Sequence, residues 1–266
     1  MKLILLLTLC FISMTQAQST KSKMYNLLIG TYSTPEKNPG IQVYSFNTET
    51  GEFNSKAEAT GIKNPSYLAI TNDRKHVYAV SEENQGSVSA FSFDHVSGQL
   101  SYINTAPSGN NGPCYISVDD QNKFVFVGNY GGGSVAAVPI NPDGSLNSNI
   151  QNIQHEGKSI MPNQEMPHVH AAVLSSDNRF LFVPDLGTDK INIYNVDVTK
   201  AKPLTPADVK AKDEKAKRDY QQRLGNELEE GTALQGQYGH SGKLTAVEGQ
   251  GQDMMDRIRF LAGLAK

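Results

Sequence analysis

The chain has 266 residues, of which 38% are hydrophobic and 19% charged, with a formal net charge of -3. That balance is ordinary for one or two globular domains and excludes wholesale disorder. It also offers no basic excess to grip a phosphate backbone, so nucleic acid is not an expected partner.

Chain order begins with an export signal. Met1-Lys2 is a short basic start, residues 3–14 are mostly apolar, and Met14-Thr15-Gln16-Ala17 ends in a small residue suited to signal peptidase. The apolar run falls short of the roughly 20 residues needed to span a bilayer. Cleavage is therefore expected after Ala17, releasing an exported, periplasmic or secreted chain with no membrane anchor. Cys10 sits inside the apolar run and follows the bulky Leu9, which disfavours a lipoprotein signal. Removal of residues 1–17 leaves Cys114 as the one thiol. Neither an internal disulfide nor a cysteine zinc site can then form.

An internal repeat of about 50 residues follows, the period of propeller blades. Its first mark is a short apolar run: Leu27–Tyr32, Val77–Glu82, Val125–Tyr130 and Leu181–Leu186. Each run is followed by a turn and an alternating strand: Ile41–Asn47, Ser87–Asp94, Ser134–Asn141 and Lys190–Asp197. Three of these strands meet a polar turn containing Gly51, Gly98 or Gly144 and then another strand, which is hairpin chemistry because glycine accepts positive φ. Upstream of the last three copies stands a proline-led piece: Asn64-Pro65-Ser66-Tyr67, Gly112-Pro113-Cys114-Tyr115 and Met166-Pro167-His168-Val169. Each copy thus supplies about four strands, and such sheets must stack to bury their faces.

After Pro206 the composition changes. Residues 207–266 carry 20 charges in 60 positions, against 31 in the preceding 206. The stretch 207–230 has helical propensity, with Thr205 and Pro206 as a cap and first turn and Gly231 as a stop. A second short amphipathic helix is expected at Met254–Leu264.

The words Tyr25–Tyr32, Gly40–Tyr44, Asn129–Val135, Pro167–His170 and Pro184–Lys190 resemble the lactonase family of seven-bladed propellers, over residues 25 to about 206. The family includes propeller-type 6-phosphogluconolactonases. The resemblance implies an all-β fold: a partial β-propeller of about four of seven blades, each a four-stranded antiparallel sheet, with a divergent helical C-terminal tail. The implied activity is hydrolysis of a small-molecule sugar lactone, with no cofactor.

Candidate site residues follow from spacing and from the resemblance. His168 and His170 lie at i, i+2, so on a strand both imidazoles face one side. By resemblance His170 matches the family's active-site histidine, a base for the attacking water; the alternative is a histidine bonded to a neighbouring blade. Glu82, Tyr130 and Asp185 sit at equivalent strand ends and are expected to converge at the mouth of the channel as substrate contacts. Hydrogen bonding between blades, and for Asp185 a turn role, are the alternatives. No third metal ligand accompanies the two histidines. Gly131-Gly132-Gly133 joins two strands and reads as a hairpin turn, not a phosphate loop. No Gly-x-Ser-x-Gly elbow occurs.

By resemblance, the family's histidine works beside an arginine and a glutamate of the next blade, which does not follow here. The chain alone is therefore expected to have little or no lactonase activity. Two other readings stand beside this one: a non-catalytic binding or assembly module whose open sheet faces recruit a partner or a second copy, and a chimeric fragment.

Overall fold

The computed structural model describes residues 24–32, 37 and 39–207. The expected signal segment at 1–17 and the expected helices within 207–230 and at Met254–Leu264 lie outside the described residues, apart from Ala207.

Among the described residues, fifteen strands make four antiparallel sheets. The first contains β1 (Met24–Ile29), β2 (Ile41–Asn47) and β3 (Phe53–Ala59). The second runs β4 (Leu68–Ile70), β5 (His76–Ser81), β6 (Ser87–Phe93) and β7 (Leu100–Pro107). The third runs β8 (Pro113–Val118), β9 (Phe124–Asn129), β10 (Ser134–Pro139) and β11 (Gln151–Gln154). The fourth runs β12 (Val173–Leu174), β13 (Phe180–Asp185), β14 (Lys190–Val196) and β15 (Leu204–Pro206). Every strand pairs with its chain neighbour, as in propeller blades. The first sheet has three strands among the described residues. Among those residues no helix is long and apolar enough to cross a membrane.

The proline-led pieces feed the edge strands β4, β8 and β12. The apolar runs at 77, 125 and 181 form the second strand of each sheet, not the first. Their position explains their composition. All six residues of β9 are buried, because both faces of a central strand lie against neighbouring sheets. Three cores fill the three spaces between sheets. Ile41 and Val43 meet Val77 and Phe91 in the first space, Tyr78 and Val88 meet Val125 and Val138 in the second, and Phe126 and Val135 meet Leu181 and Val183 in the third. Strands β4 and β8 also contact each other across a sheet boundary, as strands near a common axis do.

Glycines set the closeness of adjacent sheets. A Cβ on Gly30 would lie 1.8 Å from the Pro65 carbonyl oxygen, and one on Gly133 would lie 2.5 Å from that of Pro167. In both cases a glycine at the end of one sheet receives the proline-led piece of the next. Gly131-Gly132-Gly133 is the β9–β10 hairpin turn, as its sequence suggests, with Gly133 at φ +64°.

One expected strand is shorter than its sequence suggests. Residues 168–170 form a single isolated bridge, Val169 to Asp185, and regular pairing starts only at Val173. The physical reason is a loss of ladder partners. On one side of the bridge the His168 amide donates to the Asp185 carboxylate at 2.8 Å instead of to a backbone carbonyl; on the other, His170 faces Pro184, which accepts its amide but has no N–H to return.

Candidate functional site

The strand ends that share one position in the repeat lie at one end of the array. Glu82 follows β5, Tyr130 follows β9, and Tyr32 lies beyond β1. The Tyr32 hydroxyl donates to Glu82 Oε2 at 2.7 Å, and the Ser66 hydroxyl donates to the same oxygen at 2.5 Å. Beside it, Asn64 Nδ2 donates to Glu83 Oε1 at 2.6 Å. A cleft of about 320 Å³ opens there, lined by Asn64, Glu82, Glu83, Asn84, Gly112, Tyr130 and Gly131. It presents two carboxylates, amide groups and an aromatic ring, a set suited to a polyhydroxylated ligand.

Tyr130 connects this cleft to the two histidines. The His168 ring stacks on it at 4.5 Å between centroids and 18° between planes. The His170 ring meets it edge-on at 5.5 Å and 84°. Both imidazoles thus share one side of the segment, although most of that segment is not regular strand. His168 Nδ1 lies 3.1 Å from the Tyr130 carbonyl oxygen, which can only accept. The proton is therefore on Nδ1, and in the neutral ring Nε2 is the basic nitrogen. His170 is exposed and His168 half-buried.

Cys114 lies between the two groups. Its thiol donates to the carbonyl oxygens of His170 at 3.5 Å and Val169 at 3.7 Å. Burial, followed by the Glu82 charge, pushes that thiol up to about 12, so it is not a nucleophile at neutral pH. Burial first, then Glu82, also raises the Tyr32 hydroxyl.

Of the residues singled out in the sequence, Glu82, Tyr130, His168 and His170 are joined through these contacts. Asp185 touches this group only through the His168 amide and does not line the cleft. It is 2% exposed and faces inward. Its Oδ1 accepts from the amides of His168 at 2.8 Å and Gly187 at 3.0 Å, and its Oδ2 lies 2.8 Å from His155 Nδ1. His155 Nε2 in turn lies 3.0 Å from the Tyr194 hydroxyl. Burial works to raise the Asp185 carboxyl, but the hydrogen bonds from His155, His168 and Gly187 outweigh it and hold it below the ordinary carboxylate value. This arrangement leaves Asp185 a turn and network role in place of a surface for substrate.

Ser66 and Cys114 were not singled out, though the sequence carries a signal for them. They and His168 each follow the recurring proline, at Pro65, Pro113 and Pro167. The repeat therefore delivers the post-proline side chain of three successive sheets to the same end. His155 has no such signal. Its partners Asp185 and Tyr194 are 30 and 39 residues away. No group of three or more His, Cys, Asp or Glu arranged to hold a metal ion occurs among the described residues.

The comparisons agree with this architecture. The profile of the family described as "Lactonase, 7-bladed beta-propeller" matches residues 26–221. A 6-phosphogluconolactonase of Bacillus subtilis is 34% identical over 169 residues, 63% of this chain and 48% of its own length. A 6-phosphogluconolactonase of Formosa agariphila is 30% identical over 188 residues, 68% of this chain and 53% of its own. The solved periplasmic gluconolactonase of Pseudomonas aeruginosa is 36% identical, with a TM-score of 0.65 over 70% of this chain and 54% of its own. The chain spans about half the length of the curated relatives it matches. Four stacked antiparallel sheets and a profile match over most of the chain lead to one assignment: this chain belongs to the lactonase family of seven-bladed β-propellers.

Proposed function

We propose that this chain carries the histidine side of a lactone-hydrolysing site and acts on a small-molecule sugar lactone. The observation that supports the reading is the placement of His168 and His170 around Tyr130, which also lines the carboxylate cleft. Hydrolysis of a lactone needs water to attack the carbonyl carbon, a base to take the water's proton, and a proton for the ring oxygen when its bond to the carbonyl carbon breaks. An imidazole suits both transfers because it exchanges protons near neutral pH. In this reading His170 takes the proton from water and returns it to the leaving oxygen. His168 orients the ligand, Tyr130 gives the sugar ring a flat surface, and Glu82 accepts hydrogen bonds from its hydroxyls. Tyr32 and Ser66 keep the Glu82 carboxylate fixed for that purpose. Such a site needs no cofactor.

The named relatives support hydrolysis, since two are 6-phosphogluconolactonases and one a gluconolactonase. The expectation of an inactive chain, and that of an assembly module, draw no support from them. A pH-stat assay with freshly prepared glucono-δ-lactone and its 6-phosphate tests the reading. Turnover above spontaneous hydrolysis that falls at least about 100-fold in His170→Ala is expected. Equal rates in both proteins, or none above background, would overturn it.

The periplasmic location in the description of the Pseudomonas neighbour supports the export reading of residues 1–17. A secreted or periplasmic chain beginning at Gln18 is expected. Intact Met1 in mass spectra of fractionated cells would refute export with cleavage.

A further inference from the structure

The segment that carries both histidines is weakly laddered. Between Pro167 and Ala172 the only pairing is the single bridge of Val169 to Asp185. Its anchors all come from the turn that ends β13, and two of them are the backbone bonds that make this bridge. Asp185 Oδ1 accepts the His168 amide at 2.8 Å, the Leu186 amide donates to the His168 carbonyl at 2.9 Å, and the His170 amide donates to the Pro184 carbonyl at 3.1 Å. The fit is close. A Cβ on Gly187 would lie 1.8 Å from the Met166 carbonyl oxygen.

Behind that turn stands a buried network that the hydrolysis reading does not use. Asp185 divides its two oxygens. Oδ1 holds the histidine segment and the Gly187 amide, while Oδ2 meets His155 Nδ1 at 2.8 Å. Asn192 Nδ2 lies 3.1 Å from the same His155 nitrogen, and Tyr194 closes the chain at Nε2. His155 is 7% exposed and Asp185 2%, so neither can reach a ligand in the cleft. A buried carboxylate without its partner is strongly destabilised and turns toward any other donor or toward water.

We propose that His155, acting through Asp185, is a positioning residue that fixes the backbone bearing His168 and His170 beside Tyr130. The inference rests on the proposed hydrolysis for its catalytic consequence. Its structural content, that His155 sets the environment of the His168 amide, stands independently of activity. Loss of His155 frees Oδ2 and lets the carboxylate rotate, which weakens the grip of Oδ1 on the His168 amide. The imidazoles then move relative to a ligand still held by Tyr130 and Glu82. Misplacement of reacting groups affects the chemical step more than binding.

The test compares His155→Ala, His155→Gln and Asn104→Ala in the full chain. Asn104 bonds both backbone groups of Leu146 at 2.7 and 2.8 Å and serves as a control for a lost half-buried contact between sheets, away from the site. Two readouts are taken: nitrogen–proton spectra resolving the His168 amide and both imidazoles, and kcat and KM on glucono-δ-lactone. Expected for His155→Ala are a displaced His168 amide signal and a kcat lower by about 10- to 100-fold with KM little changed. His155→Gln, whose amide can still donate to Oδ2, should recover part of both, and Asn104→Ala should change neither. Unmoved His168 and His170 signals in His155→Ala, or an equal kcat loss in Asn104→Ala, would overturn the proposal. If the unaltered chain hydrolyses no lactone, the functional reading falls while the amide signal still decides the positioning. If His155→Ala does not fold, Tyr194→Phe, which removes only the hydroxyl at Nε2, should displace the same signals to a smaller degree; unmoved signals would overturn the proposal.

Discussion

Individual side chains at the site end divide into those that face a ligand and those that hold the frame. Asp185 belongs to the frame, and its chemistry makes a prediction about acid. Its folded-state carboxyl lies below the ordinary value, because its hydrogen bonds outweigh the cost of burial. Such a group adds stability above its unfolded pKa of about 3.9, and that contribution is lost as pH falls through the lower folded value. Urea midpoints measured from pH 6 to pH 2.5 should therefore fall on acidification. Asp185→Asn should be less stable at pH 6 and should show a shallower fall. An unchanged slope in the variant would assign the acid sensitivity to other carboxylates. Glu82 and Tyr130 were legible as candidates because the repeat places them at equivalent strand ends. Asp185 stands one position earlier in its copy, as the last residue of β13, level with the buried Ser81 and Asn129; Leu186 is the residue level with Glu82 and Tyr130. An offset of one residue along a strand reverses the face, so the repeat read in exact register already sets Asp185 inward.

At the scale of the strand and the turn, glycine spacing sets how closely sheets approach. Gly133 combines φ +64° with a Cβ position 2.5 Å from the Pro167 oxygen. Gly51 has a similar φ of +76° but no atom within 4 Å of its Cβ position. Both alanine variants should lose about 1–2 kcal/mol from backbone conformation alone. Gly133→Ala should lose more, because the third and fourth sheets must also separate. Equal urea midpoints for the two variants would show that the Gly133–Pro167 approach is not required. Most strands were readable in advance because alternation and hairpin glycines are local signals; β2 spans the expected Ile41–Asn47. The short β12 was not readable. A carboxylate 17 residues downstream takes the His168 amide, and Pro184 opposite His170 has no amide to continue the ladder; the proline is visible in the sequence, but which residue it faces is not.

Across the whole molecule, stability resides between sheets and not within them. Each sheet is thin, and the three cores join them in series. Phe126 is fully buried in the core between the third and fourth sheets. Phe126→Ala should cost about 3–5 kcal/mol by urea denaturation. Serial packing adds a spatial expectation: amides of the third and fourth sheets should lose exchange protection more than those of the first. Uniform loss across all sheets would indicate a single cooperative unit.

The turns that follow the edge strands reach one backbone path with different residues. In three sheets the residues Thr71, Asp119 and Ser175 begin the same figure. Each donates its amide to the carbonyl of the residue five positions on, at 2.8–3.2 Å, and each turns a side-chain oxygen back to that residue's amide. Three positions after each stands a non-glycine residue in the left-handed region: Arg74 at φ 58°, Asn122 at 55° and Asn178 at 56°. Hydroxyl and carboxylate have been exchanged, and arginine stands where the other copies have asparagine, yet the backbone path is the same. Different side chains meet the same two requirements of the hydrogen bonds, an oxygen at one position and tolerance of a left-handed residue at another. The shape of the loop is thus set by those two requirements and not by the identity of any one residue in it.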